Sequence, residues 1–394
     1  MATWDYPALC STCYFTDKPG PEAYLPFVDD VLEVLGRSKQ SVDPRLVVKA
    51  PDHMVRTKDA PTIVIEDPGD ESVDSYVLAL SLGGENEQIE ICPLEATPTD
   101  DGLEFAVPAE TWEKLGRALR NAGRPGIGFM ALAAVDCALW DLKARILGVA
   151  LVDALPRAHD AVPLYGSGGF CSYTLERLRE QLGGWVDEGL SRVKMKISRE
   201  PERDPERLDA AREAIGDDVE LFVDSNGALE RNEALDWAHR LRREWGVNWF
   251  EEPVSSADFE GLKLVREQGP DGLEVAAGEY AYVLADFRNL IGCVDCLQAD
   301  VTRCGGITGL LQAAGLAAGH WLEISGHCAP QLSAHAFCAV PNLRHLEYFH
   351  DHVRIESMLF DGVLEPENGE LRPDRSRPGH GLELKRADAQ RYAA

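Results

Sequence analysis

From residue 161 onward, short apolar runs alternate with amphipathic ones at nearly constant spacing. Eight short runs read as strands: AVPLYGS (161–167), RVKMKI (192–197), VELFVDSN (219–226), VNWFEEP (247–253), LEVAAGE (273–279), DCLQAD (295–300), LEISGH (322–327) and HLEYF (345–349). Between them lie helical runs such as TLERLREQLGGWVDEG, DPERLDAAREAIG, NEALDWAHRLRREW, DFEGLKLVREQ and ITGLLQAAGLAAGH. Strands that alternate with amphipathic helices pair in parallel through βαβ crossovers. Eight such units in about 190 residues predict a closed TIM-type barrel.

The chain before this region is less regular. The apolar pieces PTIVIED (61–67) and DSYVLALSLGG (74–84) read as strands, and PFVDDVLEVLGRS (26–38) as a helix, among Pro, Gly and Asp clusters. This pattern predicts a small α+β domain over residues 1–125. An amphipathic helix over 110–122 should stop at the Gly-Arg-Pro-Gly turn of 123–126. A nearly all-apolar helix is expected over 129–147, and such a helix is normally buried between layers. Its Asp136 and Asp141 are expected to serve as caps and as bridges to Arg or Lys. Barrel residues 126–355 are followed by a Pro-, Gly- and charge-rich tail, 356–394, expected to run back over the first domain.

Charge narrows the range of partners. The 394 residues carry 67 acidic and 39 basic side chains, a formal net charge of −28, with lysine scarce among the cations. Such an excess repels phosphate backbones and anionic lipid, so neither nucleic acid nor membrane is an expected partner. The N-terminus lacks the cationic start and apolar core of a secretory signal, and no run reaches 18 uninterrupted apolar residues. A cytoplasmic protein with mostly buried thiols is expected. The pairs Cys10/Cys13 and Cys293/Cys296 are too weak a signal to predict a shared zinc site.

The chemistry gathers at the strand ends. Asp224, Glu251 and Glu279 close three consecutive strand runs and are spaced 27 and 28 residues apart, one strand plus one helix per step. Three carboxylates at one barrel mouth suit a hard divalent cation: Mg²⁺, with Mn²⁺ an alternative. Asn226 and Glu252, beside the first two ligands, read as residues that orient them. The other strand ends carry Lys194, Lys196, Asp300, His327 and Glu347. Scattered structural salt bridges would not fall at one rim in this way.

The K-x-K of VKMKI, the D-x-N, E-E-P and G-E motifs, the late Asp and His and the final Glu resemble the mandelate racemase branch of the enolase superfamily (the mandelate racemase/muconate lactonizing enzyme family). The run AAVDCALWDLKARILG resembles that family's helix leading into the barrel, and the resemblance spans roughly residues 110–361. It implies a (β/α)7β barrel with an α+β capping domain built from both termini, and metal-assisted removal of the proton α to a carboxylate. Lys or His bases working with Mg²⁺ are the known pattern of that superfamily.

The residues support that chemistry. An enediolate needs strong charge stabilisation, which Mg²⁺ on Asp224, Glu251 and Glu279 would supply as a Lewis acid. Lys196 is expected to be the base on one face, its pKa depressed by the ammonium of Lys194 and by the dication. Lys194 can also bind the substrate carboxylate. His327 is expected across the substrate, with Asp300 accepting its Nδ1 proton. Glu347, if protonated, could donate to the enediolate. Arg303 reads either as a substrate contact or as a salt-bridge partner.

A Lys/His pair on opposite faces permits dehydration of a sugar acid to a 2-keto-3-deoxy acid (a hydro-lyase reaction). It also permits racemisation or epimerisation of a 2-hydroxy acid. Dehydration is favoured. Cycloisomerases and dipeptide epimerases resemble the pattern less, since they carry a Lys where Asp300 stands. A non-catalytic metal-binding barrel is the alternative from another class. A zinc hydrolase would want several His ligands, and these strand ends carry only His327. The expected partner is a small carboxylate, and a homo-oligomer is expected.

Overall fold

The structure, a computed structural model, describes residues 62–66, 75–81, 88–99, 102–105, 109–121 and 123–392. The expected helix over 26–38 and the pair Cys10/Cys13 lie outside them. Toward the N-terminus, β1 (Thr62–Glu66), β2 (Ser75–Ser81), β3 (Gln88–Thr99) and β4 (Gly102–Phe105) form an antiparallel sheet in that order. The first two match the expected strands. The other two escape the sequence reading because β3 contains Pro93 and Pro98, which mark a run as loop or edge. Helix α1 (Ala109–Ala118) follows, then α2 (Ile127–Ile146) and the single turn α3 (Leu151–Ala154).

The barrel strands are β5 (Val162–Gly168), β6 (Arg192–Lys196), β7 (Glu220–Asp224), β8 (Trp249–Glu251), β9 (Glu274–Ala277), β10 (Cys296–Ala299), β11 (Ile324–Gly326) and β12 (Leu343–Phe349). All eight are parallel neighbours in chain order, and β12 pairs with β5 to close the ring. The crossovers are α4 (Leu175–Asp187), α5 (Asp204–Ile215), α6 (Arg231–Trp245), α7 (Phe259–Gln268), α8 (Leu284–Leu290), α9 (Gly306–Gly319) and α10 (Pro330–Phe337).

Alternation along each strand sorts the side chains into two populations. Val193, Met195, Leu221, Val223, Phe250 and Val275 join the core shared with the helices. Tyr165, Phe222, Trp249, Ala276 and Cys296 form a separate buried cluster within the ring, with Phe222 stacked on Trp249 at 5.2 Å. Lys194 and Lys196 share the parity of this inner layer. Register then aligns Lys196 with Asp224 and Asp224 with Glu251 across three neighbouring strands.

Helix α2 serves α9. The N-cap of α9 is Gly305, which has no side chain to offer. Asp136 supplies the missing acceptor, taking the Thr308 N–H at 2.9 Å and its hydroxyl at 2.6 Å. Burial raises the Asp136 carboxyl to about 6, even with Thr308 pulling it down. Asp141 pairs with Arg145 at 2.7 Å. Both aspartates are therefore structural, as their sequence context implied.

After α11 (His350–Leu359) the tail forms β13 (Phe360–Asp361), β14 (Glu370–Leu371), β15 (Glu383–Leu384) and α12 (Arg386–Ala389). Strand β14 adds to β5 antiparallel, and β13 pairs with β15. The tail also grips α2, through Arg145 to Glu383 at 3.2 Å and the His380 N–H to Asp141 at 2.7 Å. Among the described residues it thus docks on the barrel and α2. No described helix is long and apolar enough to cross a membrane.

One buried group near this tail gives a stability prediction. His335 is 1% exposed, and its Nδ1 accepts the Val152 N–H at 3.3 Å, which requires a neutral ring. Burial, with His380 adding to it, lowers its pKa from 6.5 to about 4. The unfolded chain therefore binds the proton more readily, so stability is full above pH 6.5 and declines as pH falls toward 4. The shift corresponds to about 3 kcal/mol at its limit. His335→Asn, which retains an acceptor, should flatten the urea-denaturation stability between pH 6.5 and 4. An unchanged acid slope in the variant would remove His335 as its source.

Candidate active site

Asp224, Glu251 and Glu279 each offer an oxygen, and these lie within 4.8 Å of one another, all buried. Six ligands at 2.0–2.1 Å around Mg²⁺ place neighbouring oxygens about 3 Å apart and opposite ones about 4 Å apart, so little adjustment is needed. The first two come from aligned strand ends. Glu279 needs a separate device, because β9 stops at Ala277. Gly278 has φ 137°, and a Cβ there would lie 2.1 Å from the Gln298 carbonyl oxygen. Only glycine allows that approach, and the turn it makes carries Glu279 over the mouth.

Charge balance supports a cation as well. Asp224, Glu251, Glu252, Glu279, Asp300 and Glu347 are all at most 1% exposed. Among the described residues, the cations paired with these acids are Lys194, Lys196 and Arg303, with His327 a fourth when protonated. Buried acids thus outnumber buried cations in the described part of the cluster, a balance that suits a dication. The strain is visible at Glu251. Burial, with Asp224 and Glu347 alongside, pushes its carboxyl up to about 8 although Lys194 lies 2.5 Å away.

Lys194 is fully buried, 2.5 Å from Glu251 and 2.8 Å from Glu347. Lys196 donates to Asp224 at 2.5 Å. Burial works against both ammonium groups, but the neighbouring carboxylates outweigh it and hold them well above the ordinary lysine value. The depression expected of Lys196 depends on a dication held by Asp224, Glu251 and Glu279; the Asp224 carboxylate by itself favours the ammonium. Glu347 is held from three sides. It accepts from Ser167 at 2.6 Å, from Lys194, and from the Cys328 N–H at 3.1 Å. Burial raises its pKa, but Lys194 and His327 bring it well below the usual range, so it is an ionised acceptor here.

His327 follows β11. Its Nδ1 lies 2.8 Å from Asp300 Oδ2, and its Nε2 lies 3.0 Å from Glu279 Oε2. Asp300 is itself held by the Thr302 N–H and hydroxyl, at 2.7 and 2.6 Å. With Nδ1–H given to Asp300, Nε2 is the atom left to exchange protons. Burial lowers the imidazole pKa, yet Cys328, Glu279, Glu347 and Asp300 together raise it well above 6.5.

Arg303 forms salt bridges, 3.3 Å from Asp300 and 3.6 Å from Glu279, with Nη1 also donating to the Glu279 carbonyl at 3.0 Å. Asn226 acts through its backbone. Strand β7 ends at Asp224, the chain turns left-handed at Asn226 (φ 44°), and its N–H donates to Asp224 Oδ1 at 2.7 Å. Its side chain therefore does not continue the strand alternation, and its buried Oδ1 finds no hydrogen-bond partner. Glu252 also turns left-handed (φ 39°), its N–H bonded to the Ala276 carbonyl at 2.9 Å.

Four contributors escaped the sequence reading. Ser167 holds Glu347, and Trp249 donates to Glu251 at 3.1 Å. Arg207 braces the end of β6 by donating to the Lys196 carbonyl at 2.7 Å. Cys328 contacts His327 and Glu347. Strand parity could have flagged Ser167, two residues beyond Tyr165. Cys293 and Cys296 join no cluster of metal-ligating groups among the described residues. Cys296 sits in the inner layer, and Cys293 bonds to the Asn289 carbonyl at 3.4 Å.

The closed barrel with this mouth defines an enzyme of the enolase superfamily. Residues 177–389 match the enolase C-terminal domain-like family, and residues 106–155 match the mandelate racemase/muconate lactonizing enzyme N-terminal domain. The chain belongs to the mandelate racemase/muconate lactonizing enzyme family. A mandelate racemase/muconate lactonizing enzyme-like protein from Rubrobacter xylanophilus is 54% identical, with a TM-score of 0.73 over 85% of this chain and 97% of its own. L-Talarate dehydratase from a Polaromonas species, solved with Mg and L-glucarate, is 32% identical with a TM-score of 0.65, covering 72% and 78%. 3,6-Anhydro-α-L-galactonate cycloisomerase of Streptomyces coelicolor is 29% identical over 79% of this chain and 80% of its own length. That last relative belongs to a class that Asp300 argued against.

Proposed function

We propose that this enzyme removes the proton α to the carboxylate of a sugar acid and expels the β-hydroxyl, yielding a 2-keto-3-deoxy acid. The observation that carries the reading is the placement of Lys196 and His327. Around the ring, β6 and β11 are separated by β5 and β12 on one arc and by β7 to β10 on the other. An acid bound over Asp224, Glu251 and Glu279 would therefore lie between an amine and an imidazole. A divalent cation on those carboxylates, as the talarate dehydratase carries, would supply charge against the substrate carboxylate and relieve the field that holds the proton on Lys196.

Lys196, as the free amine, takes the α-proton, and the electron pair moves into the substrate carboxylate as an enediolate. His327 Nε2–H then protonates the β-oxygen, which leaves as water, and the enol product ketonises. Solvent removes the proton from Lys196 and returns one to His327. Lys194 neutralises Glu251 and Glu347, and Asp300, accepting from Nδ1–H, orients the ring and stabilises the imidazolium that donates from Nε2. The same pair supports a second outcome. With His327 returning a proton to the opposite face of Cα, the reaction becomes racemisation or epimerisation. If the β-oxygen belongs to a ring ether, elimination opens the ring without releasing water.

Incubation with a panel of sugar acids in D₂O and Mg²⁺ tests the proposal. At least one acid should give a 2-keto-3-deoxy product. Deuterium at Cα without such a product would replace dehydration by racemisation. No product and no exchange across the panel would leave a binding barrel in place of an enzyme of this type.

A further inference from the structure

Beside the carboxylate triad lies a second cluster of different chemistry. His327 Nε2 and Cys328 Sγ are 3.3 Å apart, Cys328 Sγ and Glu347 Oε2 are 3.3 Å apart, and His327 Nε2 and Glu347 Oε2 are 3.5 Å apart. All three residues are buried. A tetrahedral Zn²⁺ with Zn–N and Zn–O near 2.0–2.1 Å and Zn–S near 2.3 Å spaces such donors about 3.3–3.6 Å apart. The three distances fit one face of that tetrahedron.

The backbone is bent to make this arrangement. Cys328 has φ 51° and Ala329 φ 43°, two consecutive non-glycine residues in the left-handed region. Such strain persists only where the surroundings over-determine it. Here the Cys328 N–H and Sγ both address Glu347 Oε2, at 3.1 and 3.3 Å. The turn thus brings the thiol back over the mouth, where an extended strand would have sent it elsewhere.

We propose that His327, Cys328 and Glu347 form a three-ligand site for a thiophilic divalent cation of the Zn²⁺ class, distinct from the hard-cation site of Asp224, Glu251 and Glu279. Donor softness separates the two. Three carboxylates suit Mg²⁺, whereas nitrogen, sulfur and one oxygen suit zinc. On binding, the thiol and the imidazolium Nε2–H each give a proton to solvent, and the two coordinate as thiolate and neutral imidazole. The fourth position remains for water or a substrate oxygen. The consequence for turnover rests on the function proposed above: zinc occupies the Nε2 lone pair of His327 and so stops the proton transfer.

The test uses the full chain saturated with Mg²⁺. Titration with Co²⁺ as a zinc surrogate should produce a near-ultraviolet thiolate-to-metal charge-transfer band, and Zn²⁺ should abolish it. Cys328→Ser should lose the band and weaken Zn²⁺ by more than the roughly 10–100-fold that outer-shell changes cost. His327→Asn should weaken it as well. Circular dichroism and Mg²⁺-dependent thermal stability verify that the variants fold. The site is refuted if the parent shows no band, or if folded Cys328→Ser keeps both band and affinity. Zinc bound through Cys328 in a protein that turns over no acid would sustain the site and remove the reaction. Turnover unaffected by one equivalent of Zn²⁺ would sustain the reaction and remove the site.

Discussion

Lys194→Met is expected to destabilise the fold by about 3–5 kcal/mol, the usual result of stranding buried charge by deleting its partner. The Nζ of Lys194 stands 2.5 Å from Glu251, 2.8 Å from Glu347 and 3.6 Å from Asp224, with no exposed side-chain surface. Methionine nearly preserves the volume and removes the charge, leaving three carboxylates to face one another without water. Their folded-state pKa values would then rise above the unfolded ones. The variant's deficit relative to the parent should accordingly be smallest at low pH and grow as pH rises from the ordinary carboxylate values toward the raised folded-state ones. Urea denaturation at several pH values reads this directly. Adding Glu347→Gln should recover part of the loss, and Mg²⁺ should recover more. A variant as stable as the parent at pH 7, or one whose deficit relative to the parent grows on acidification, would contradict the account of Lys194 as the charge that holds these carboxylates together.

Lys196→Ala and His327→Asn should each lower kcat by about 10²–10⁴-fold, but they should differ in what survives. If Lys196 takes the α-proton and His327 serves the leaving group, Lys196→Ala should show neither product nor deuterium at Cα. His327→Asn should retain exchange at Cα while forming little product. Exchange lost equally in both variants would mean that His327 takes part in proton removal, which favours the racemase outcome. If Asp300 acts through its 2.8 Å bond to His327 Nδ1, Asp300→Asn should displace the pH profile of kcat more than it changes KM.

The barrel was legible because its signal is repeated. Eight apolar runs at regular spacing leave few other ways to bury the same faces, and all eight occur as strands. The ends of β7 and β8 were legible for the same reason, since parity along a strand fixes which side chains reach the mouth. Glu279 was found by its spacing, although what delivers it is the turn at Gly278. What was not legible depends on distances between strands. A sequence does not reveal that Asp224 comes within 2.5 Å of Lys196, or that Ser167, Lys194 and Cys328 all converge on Glu347. Those distances decide which groups hold protons, and no strand pattern encodes them. That Asn226 addresses Asp224 through its backbone N–H was not legible, since it depends on the left-handed turn two residues after the strand stops. Strands β3 and β4 were missed where proline disguised an edge-type pairing.

Closure of the ring has a consequence for how the protein comes into being. Leu346 pairs with Leu164, and the Ser167 hydroxyl meets Glu347 across 180 residues of chain. A ribosome must release the last stave before the first can be joined to it. Until then the nascent sheet has two bare edges, at β5 and β11, ready to pair with the wrong neighbour. Such long-range pairing is intrinsically slow. Competence for chemistry is thus among the last properties acquired during synthesis, and a chain truncated before residue 343 would lack the closing strand and Glu347 with it.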